Sequence, residues 1–143
     1  MATETTAFVL MPALVSGVVI GLYEILLVHR DVQVASHRFM HGLHGLVIAV
    51  IACLAVFNVP LVLKLIPALA KIPLVKNPLF FRIALGIIMM AKVHAASAAI
   101  KSSGISSQGM KETWFHSLLV GALVVASPYV YPLLAPVLPK WLR

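Results

Sequence analysis

The sequence predicts an all-α membrane protein, a compact bundle of four transmembrane helices that forms a single integral membrane domain over residues 1–143. Of its residues, 62% are hydrophobic and only 10% are charged, whereas soluble domains usually carry about 25% charged residues. The mean hydropathy is +1.05. The apolar residues also form long runs rather than amphipathic stripes, and a helix needs about 20 such residues to cross a bilayer. These three observations argue against a soluble domain.

The first crossing is predicted over residues 7–28. The segment before it, Met-Ala-Thr-Glu-Thr-Thr, has no positive charge, so we expect a permanent helix rather than a signal peptide. Gly17 and Gly21 form a small-xxx-small pair, which allows another helix to approach closely. Their partner is either a second helix of this chain or a helix of another subunit. Glu24 follows near the far end of the run.

The second crossing is predicted over residues 39–66, with a bend or an end at Asn58-Val59-Pro60 because proline interrupts the helical hydrogen bonds. The segment that follows, residues 67–78, contains three prolines and is too short to span a bilayer. It therefore indicates an interfacial connection, in which long basic side chains reach the lipid headgroups. These side chains are Lys64, Lys71 and Lys76.

The third crossing is predicted over residues 79–100, with Lys92 and His94 well inside it, and the fourth over residues 113–130. A loop rich in serine and glycine separates the two. An even number of crossings puts both termini on one side of the membrane, which we call side A. The polar hinge after the first crossing and the Ser/Gly loop lie on side B.

The balance of basic residues slightly favours the cytoplasm for side A, and we expect the protein to reside in the cell (plasma) membrane. Side A carries six Lys and Arg residues and side B carries five, and cytoplasmic loops usually hold the excess of such residues. Those on side A are Lys64, Lys71, Lys76, Arg82, Lys140 and Arg143; those on side B are Arg30, Arg38, Lys92, Lys101 and Lys111. The bases are scattered and are not interleaved with aromatic residues, so nucleic acid is not an expected partner.

All six histidines fall in the side B half, four of them within residues 29–44. His37, His41 and His44 are spaced i, i+4 and i+7, which puts them on one face of a helix. Imidazoles in this spacing suit copper, zinc or iron, and Glu24, Asp31 or His94 would complete the ligand set. The alternative is that these histidines form hydrogen bonds to loop backbone, lipid phosphate or a neighbouring subunit. In either case we expect them to face Glu24 and the side B end of the third helix.

A buried carboxylate requires a partner, because burying an isolated charge is costly. We expect Glu24 to pair with Lys92 or His94 across the bundle. The functional alternative is a carboxylate that carries protons or binds a ligand. The alternative cofactor is haem, with His44 and His94 as axial ligands between the second and third helices.

Other catalytic chemistry is not indicated. The single cysteine, Cys53, permits neither an internal disulfide nor a cysteine-based zinc site. The sequence contains no His-Glu-x-x-His, no Gly-x-Ser-x-Gly and no phosphate-binding loop. These absences favour an accessory subunit of an enzyme complex over an enzyme that acts alone.

The layout resembles the small multi-helix anchor or accessory subunits of membrane redox complexes, in architecture only. The expected function is therefore a small non-catalytic or co-catalytic subunit of a larger integral membrane complex, of the oxidase, monooxygenase or respiratory type. Its partners would be other membrane subunits and the lipid bilayer. The alternative is a small oligomeric metal-ion or proton transporter or channel that uses Glu24, Lys92 and His94. A third class is an assembly factor whose polar residues only pair with one another.

Overall fold

The computed structural model describes residues 7–31, 35–102 and 114–142. Within its helices, the side chains of residues 28, 30, 31, 35–38, 40, 41 and 96–102 lie outside this description. The described part is helical and contains no strand. Its α-helices are α1 (Met11–Asp31), α2 (Ala35–Phe57), α3 (Val59–Leu65), α4 (Pro78–Ser102) and α5 (Trp114–Leu134). Short 3-10 turns occur at Leu69–Lys71, Leu74–Lys76, Ala135–Val137 and Lys140–Leu142.

Helices α1 and α2 form an antiparallel hairpin with its interface built on glycine. A Cβ atom added to Gly17 would lie 2.6 Å from the Cα of Val50, and one added to Gly21 would lie 2.7 Å from the Cα of Leu46. Such distances are shorter than carbon atoms tolerate, so the two backbones approach as closely as they do only because these residues have no side chain. The small-residue face of α1 therefore packs against a helix of the same chain.

Helices α4 and α5 form a second close pair. A Cβ atom added to Gly121 would lie 2.5 Å from the carbonyl oxygen of Gly86. The core lies where this pair meets α1 and α2, and its sulfur-containing members are Cys53 and Met89. The other buried members of this core are Ile20, Ala49, Ala52, Val56, Val93, Val120 and Val124.

The second apolar run breaks at Asn58, where α2 ends and α3 leaves at 95°. This break lies within the segment Asn58-Val59-Pro60, where a bend or an end was predicted. With 23 residues, α2 is roughly 35 Å long at 1.5 Å per residue, which already exceeds the bilayer's hydrocarbon core of about 30 Å. Because α3 runs almost perpendicular to α2, residues 59–65 add little length along the axis of α2.

Two described helices are long and apolar enough to cross a membrane, over Pro78–Ala95 and Trp114–Val137. The bent pair Gly42–Phe57 and Val59–Leu65 gives a third candidate if it counts as one span, and the apolar part of α1, Met11–Leu27, is shorter. Large apolar side chains cover the outside of these helices, as a lipid-facing surface requires. Examples are Val19, Leu26, Val47, Ile51, Ile87, Ile88, Leu118 and Leu133.

Candidate functional site at the B end of the bundle

Polar side chains from all four long helices meet at one end of the bundle, which we call the B end. It contains the last turns of α1 and α4 and the first turns of α2 and α5. Each of these helices contributes at least one ionisable group there. The groups are Glu24 of α1, His44 of α2, Lys92 and His94 of α4, and His116 of α5.

The centre of the B end is a hydrogen bond between Glu24 and His116, with Oε2 of the carboxylate 2.9 Å from Nε2 of the imidazole. Glu24 is 1% exposed and His116 is 8% exposed. The bond joins α1 to α5 across 92 positions of the chain. Gly45 of α2 leaves the space that Glu24 occupies, since a Cβ atom there would lie 2.8 Å from Glu24 Cγ.

The predicted direct pairing of Glu24 with Lys92 or His94 is therefore wrong. The sequence identified the need for a partner but not which helix supplies it. His116 lies in the first turn of α5, which packs against α1, and its position 92 residues away gave no signal of this contact. The sequence does indicate that His116 needs a partner, because an imidazole near the start of an apolar helix is costly to leave unpaired.

A small cavity lies beside Glu24 and has room for about one water molecule. Its polar lining consists of Glu24, His44 and Lys92; its other lining residues are Gly45, Ile48, Met89 and Val93. His44 and Lys92 are exposed whereas Glu24 is buried. The cavity therefore adjoins a buried carboxylate on one side and two solvent-accessible ionisable side chains on the other.

His94 belongs to a separate contact, because its ring stacks on Trp114 with the centroids 3.7 Å apart and the planes at 15°. Its Nδ1 atom is buried and has no hydrogen-bond partner among the described residues. The cavity between α2 and α4 holds about one water molecule, whereas a site for an organic ligand typically needs about 300 Å³ or more. This space does not fit a haem held between His44 and His94.

The predicted metal ligands are only partly described. The side chains of His37 and His41 lie outside the described residues, although both positions belong to α2. His44 is exposed, and Glu24 is engaged by His116. Among the side chains that the structure describes, no three His, Cys, Asp or Glu residues converge on one point. The metal site thus stays a prediction that depends on His37 and His41.

The opposite end of the bundle, the A end, contains a polar arrangement at the break after α2. The side chain of Asn58 accepts a hydrogen bond from the Val9 N–H at 2.7 Å and donates to the Val9 carbonyl at 3.0 Å. It also donates to the Leu54 carbonyl at 2.9 Å. In a continuous helix the Asn58 backbone N–H would donate to the Leu54 carbonyl, but here it donates to the carbonyl of Ala55. The Asn58 side chain therefore supplies the hydrogen bond that the Leu54 carbonyl would otherwise lack.

Arg82, one turn inside α4, satisfies another backbone carbonyl at the break. Pro60 has no N–H, so it cannot donate the helical hydrogen bond to the carbonyl of Val56. Arg82 Nε donates to that carbonyl at 3.0 Å, and its guanidinium also donates to the Tyr129 hydroxyl at 2.8 Å. Backbone groups at membrane depth must be satisfied within the protein. Arg82 is thus a structural residue that the sequence analysis counted only as a charge.

Chemically, the B end can bind and release protons and can donate or accept hydrogen bonds at an exposed polar surface. At the A end, in contrast, Asn58 and Arg82 are committed to holding the break. A comparison of this chain with family models, with curated proteins and with solved structures finds no match.

Proposed function

We propose that this protein is an integral membrane subunit of a larger membrane complex, in a non-catalytic or co-catalytic role. The observation that carries the proposal is the polar B end, where His44 and Lys92 remain exposed beside the buried Glu24–His116 pair. Exposed ionisable groups at the end of an apolar bundle are costly unless they meet water, headgroups or a partner. Another subunit would supply hydrogen-bond partners to this surface.

The proposal includes four membrane crossings, and the helix lengths support it. Helices α1 and α5 have 21 residues each and α4 has 25, so every long helix covers roughly 30 Å or more. Because α1 packs antiparallel along α2, it would lie at the same depth as α2. Both termini would then face one side, for which we propose the cytoplasmic side of the cell membrane.

The finer part of the proposal is that the complex is redox-active or metal-dependent, of the oxidase, monooxygenase or respiratory type. Support comes from the spacing of His37, His41 and His44 along α2. Glu24 could join them as a ligand only by giving up its bond to His116, so a partner subunit is the better source of a fourth ligand.

Purification in a mild detergent tests the subunit role. We expect the tagged protein to co-purify with other membrane proteins in fixed stoichiometry and to leave them when His44 and Lys92 are both changed to leucine. The control changes two other exposed residues, Ile87 and Ile88, to alanine. Recovery of the wild-type chain only as a homo-oligomer would contradict the proposal.

Metal analysis and an optical spectrum of the same purified assembly test its finer part. Neutral imidazoles bind metal, so occupancy should fall as the pH drops below about 6.5. A variant with alanine at His37, His41 and His44 should lose metal, whereas alanine at His29 should have little effect. Equal metal content in the triple variant and the wild type would remove the metal from the proposal and leave the subunit contact.

A second candidate function is a small oligomeric proton or metal-ion transporter. The observation that favours it is the water-sized cavity that separates buried Glu24 from exposed His44 and Lys92. In this role, Glu24 would exchange protons with the B side while His116 holds the second carboxylate oxygen. His94 is less suited to the pathway than the sequence suggested, because its ring is stacked on Trp114.

Proton flux into liposomes separates the two candidates. A transporter should conduct as the purified protein alone, and the change Glu24→Gln should abolish the flux because glutamine carries no exchangeable acid proton. His29→Gln, at the exposed end of α1, is the matched control and should conduct normally. Absence of flux in the wild type would eliminate the transporter.

A further inference from the structure

Residues 59–77 form a surface that neither the B-end site nor the subunit role uses. We call this segment the A-end platform; it consists of α3 and the two 3-10 turns that follow it. Three lysines on it are exposed, namely Lys64, Lys71 and Lys76. Large exposed apolar side chains alternate with them along the chain, namely Leu65, Ile66, Ile72 and Leu74.

Helix α3, the first part of the platform, makes a large angle with α2. Helix α3 departs from α2 at 95°, so it runs across the bundle end and not along it. Asn58 holds the break through its three side-chain hydrogen bonds, and Arg82 holds it through the Val56 carbonyl. If the long helices cross the bilayer as proposed above, a helix perpendicular to α2 at its end lies in the plane of the membrane interface, and the turns that carry Lys71 and Lys76 follow it directly in the chain.

The charge of the platform has one sign. The sequence contains no Asp or Glu between residues 31 and 112, so the platform has no acid of its own. Its lysines make no ion pair among the residues that the structure describes. Three exposed ammonium groups therefore face outward without internal compensation, and an anionic partner is the chemistry that complements them.

The exposed apolar residues decide between two anionic partners. An acidic protein segment would neutralise the lysines but would have to cover leucine and isoleucine side chains as well. A bilayer interface satisfies both sets at once, because the apolar side chains enter the acyl region while lysine stems reach up to the headgroups. We propose that the A-end platform binds anionic phospholipid headgroups of the leaflet on that side.

The size of the effect follows from the lysines. A basic residue near an anionic surface contributes about 1 kcal/mol, which corresponds to roughly a fivefold change in affinity for each lysine. Loss of all three would weaken the preference for anionic lipid by up to about a hundredfold. The proposal stands apart from the subunit role, since it concerns the other end of the bundle.

Lipid retention tests it. The full chain is placed in nanodiscs with equal amounts of phosphatidylglycerol and phosphatidylcholine. The protein is then released from the nanodiscs in the mass spectrometer, and the lipid molecules that stay bound to it are counted by native mass spectrometry. We expect the wild type to retain phosphatidylglycerol preferentially. The triple variant Lys64→Gln, Lys71→Gln, Lys76→Gln should lose this preference, and the corresponding triple change to arginine should keep it because the charge remains.

A matched control removes the same amount of charge at the B end, through Arg30→Gln, Arg38→Gln and Lys101→Gln, at positions in the terminal turns of α1, α2 and α4. This variant should retain phosphatidylglycerol as the wild type does. Equal loss in both glutamine variants would show that net charge alone sets the preference and would overturn the proposal. A wild type with no lipid preference would also overturn it, and an acidic protein segment would then be the partner to seek.

Discussion

At the scale of single residues, the most important contact is the buried hydrogen bond between Glu24 and His116. It lies between α1 and α5 with both side chains almost fully buried. Removal of one member of such a pair leaves the other without this buried hydrogen bond, and this typically costs about 1–3 kcal/mol. The bond thus fixes how the two ends of the sequence pack, whatever further chemistry the B end performs.

A double-mutant cycle tests this pairing. Glu24→Ala and His116→Ala should each destabilise the protein, and the double variant should be little worse than either one, because the second change removes a group that has already lost its partner. Reversible unfolding in mixed detergent micelles gives the free energies. The cycle of Glu24→Ala with Lys92→Met should show a smaller coupling. A larger coupling to Lys92 than to His116 would contradict the structure.

At the scale of elements, close approach of α1 and α2 depends on glycines whose neighbours are backbone atoms. Gly17→Ala and Gly21→Ala would each put a methyl group within 3 Å of a Cα atom of α2. Because backbone of a packed helix cannot move aside locally, we expect each change to cost about 1–3 kcal/mol through overpacking. Thermal unfolding in detergent measures the loss.

Gly42→Ala is the matched control for these changes. It lies in the same helix pair, but the nearest atom to an added Cβ is Cγ1 of the Ile25 side chain at 3.0 Å. A side chain can change rotamer, so Gly42→Ala should cost less than Gly17→Ala or Gly21→Ala. Equal costs at the three positions would contradict this explanation, because the gain in helix propensity from glycine to alanine is similar at all three and only the contacts differ.

The break between α2 and α3 is a second feature at this scale. Asn58→Ala would remove three hydrogen bonds at once and leave the Val9 N–H, the Val9 carbonyl and the Leu54 carbonyl without their present partner. Each unsatisfied buried group costs about 1–3 kcal/mol. We expect Asn58→Ala to be strongly destabilising and to increase hydrogen exchange at Val9.

Asn58→Asp serves as the comparison for this variant. The carboxylate keeps the acceptor for the Val9 N–H but cannot donate to the two carbonyls. Exchange at Val9 should therefore remain closer to that of the wild type than in Asn58→Ala. Rapid exchange at Val9 in the wild-type protein would show that Asn58 does not hold this segment.

For the whole molecule, the number of crossings determines where the termini lie. In a Cys53→Ala background, single cysteines are placed at positions 4, 34, 72, 106 and 141 and labelled with a reagent that does not cross membranes. Four crossings predict labelling of 4, 72 and 141 from one side and of 34 and 106 from the other. Labelling of 4 and 141 from opposite sides would establish an odd number of crossings.

The sequence by itself determined the features that depend on neighbouring residues. Long apolar runs predict helices, because burial acts on residues within a few turns of one another. Pro60, two residues after Asn58, predicts the break, because proline removes a hydrogen bond within its own turn. The presence of a buried acid that requires a partner was equally clear, since the cost of burial belongs to Glu24 alone. The positions of the described helices follow from this local information to within a few residues, apart from α3.

Only the tertiary structure decided which residues meet. The packing order of helices depends on shape across the whole bundle, so it selected His116 over Lys92 and His94 as the partner of Glu24. The same packing put α2 against Gly17 and Gly21, and it brought Arg82 to the carbonyl that Pro60 leaves without a donor. Sequence spacing reports which residues share a helix face, whereas contacts between distant segments depend on how all faces fit together.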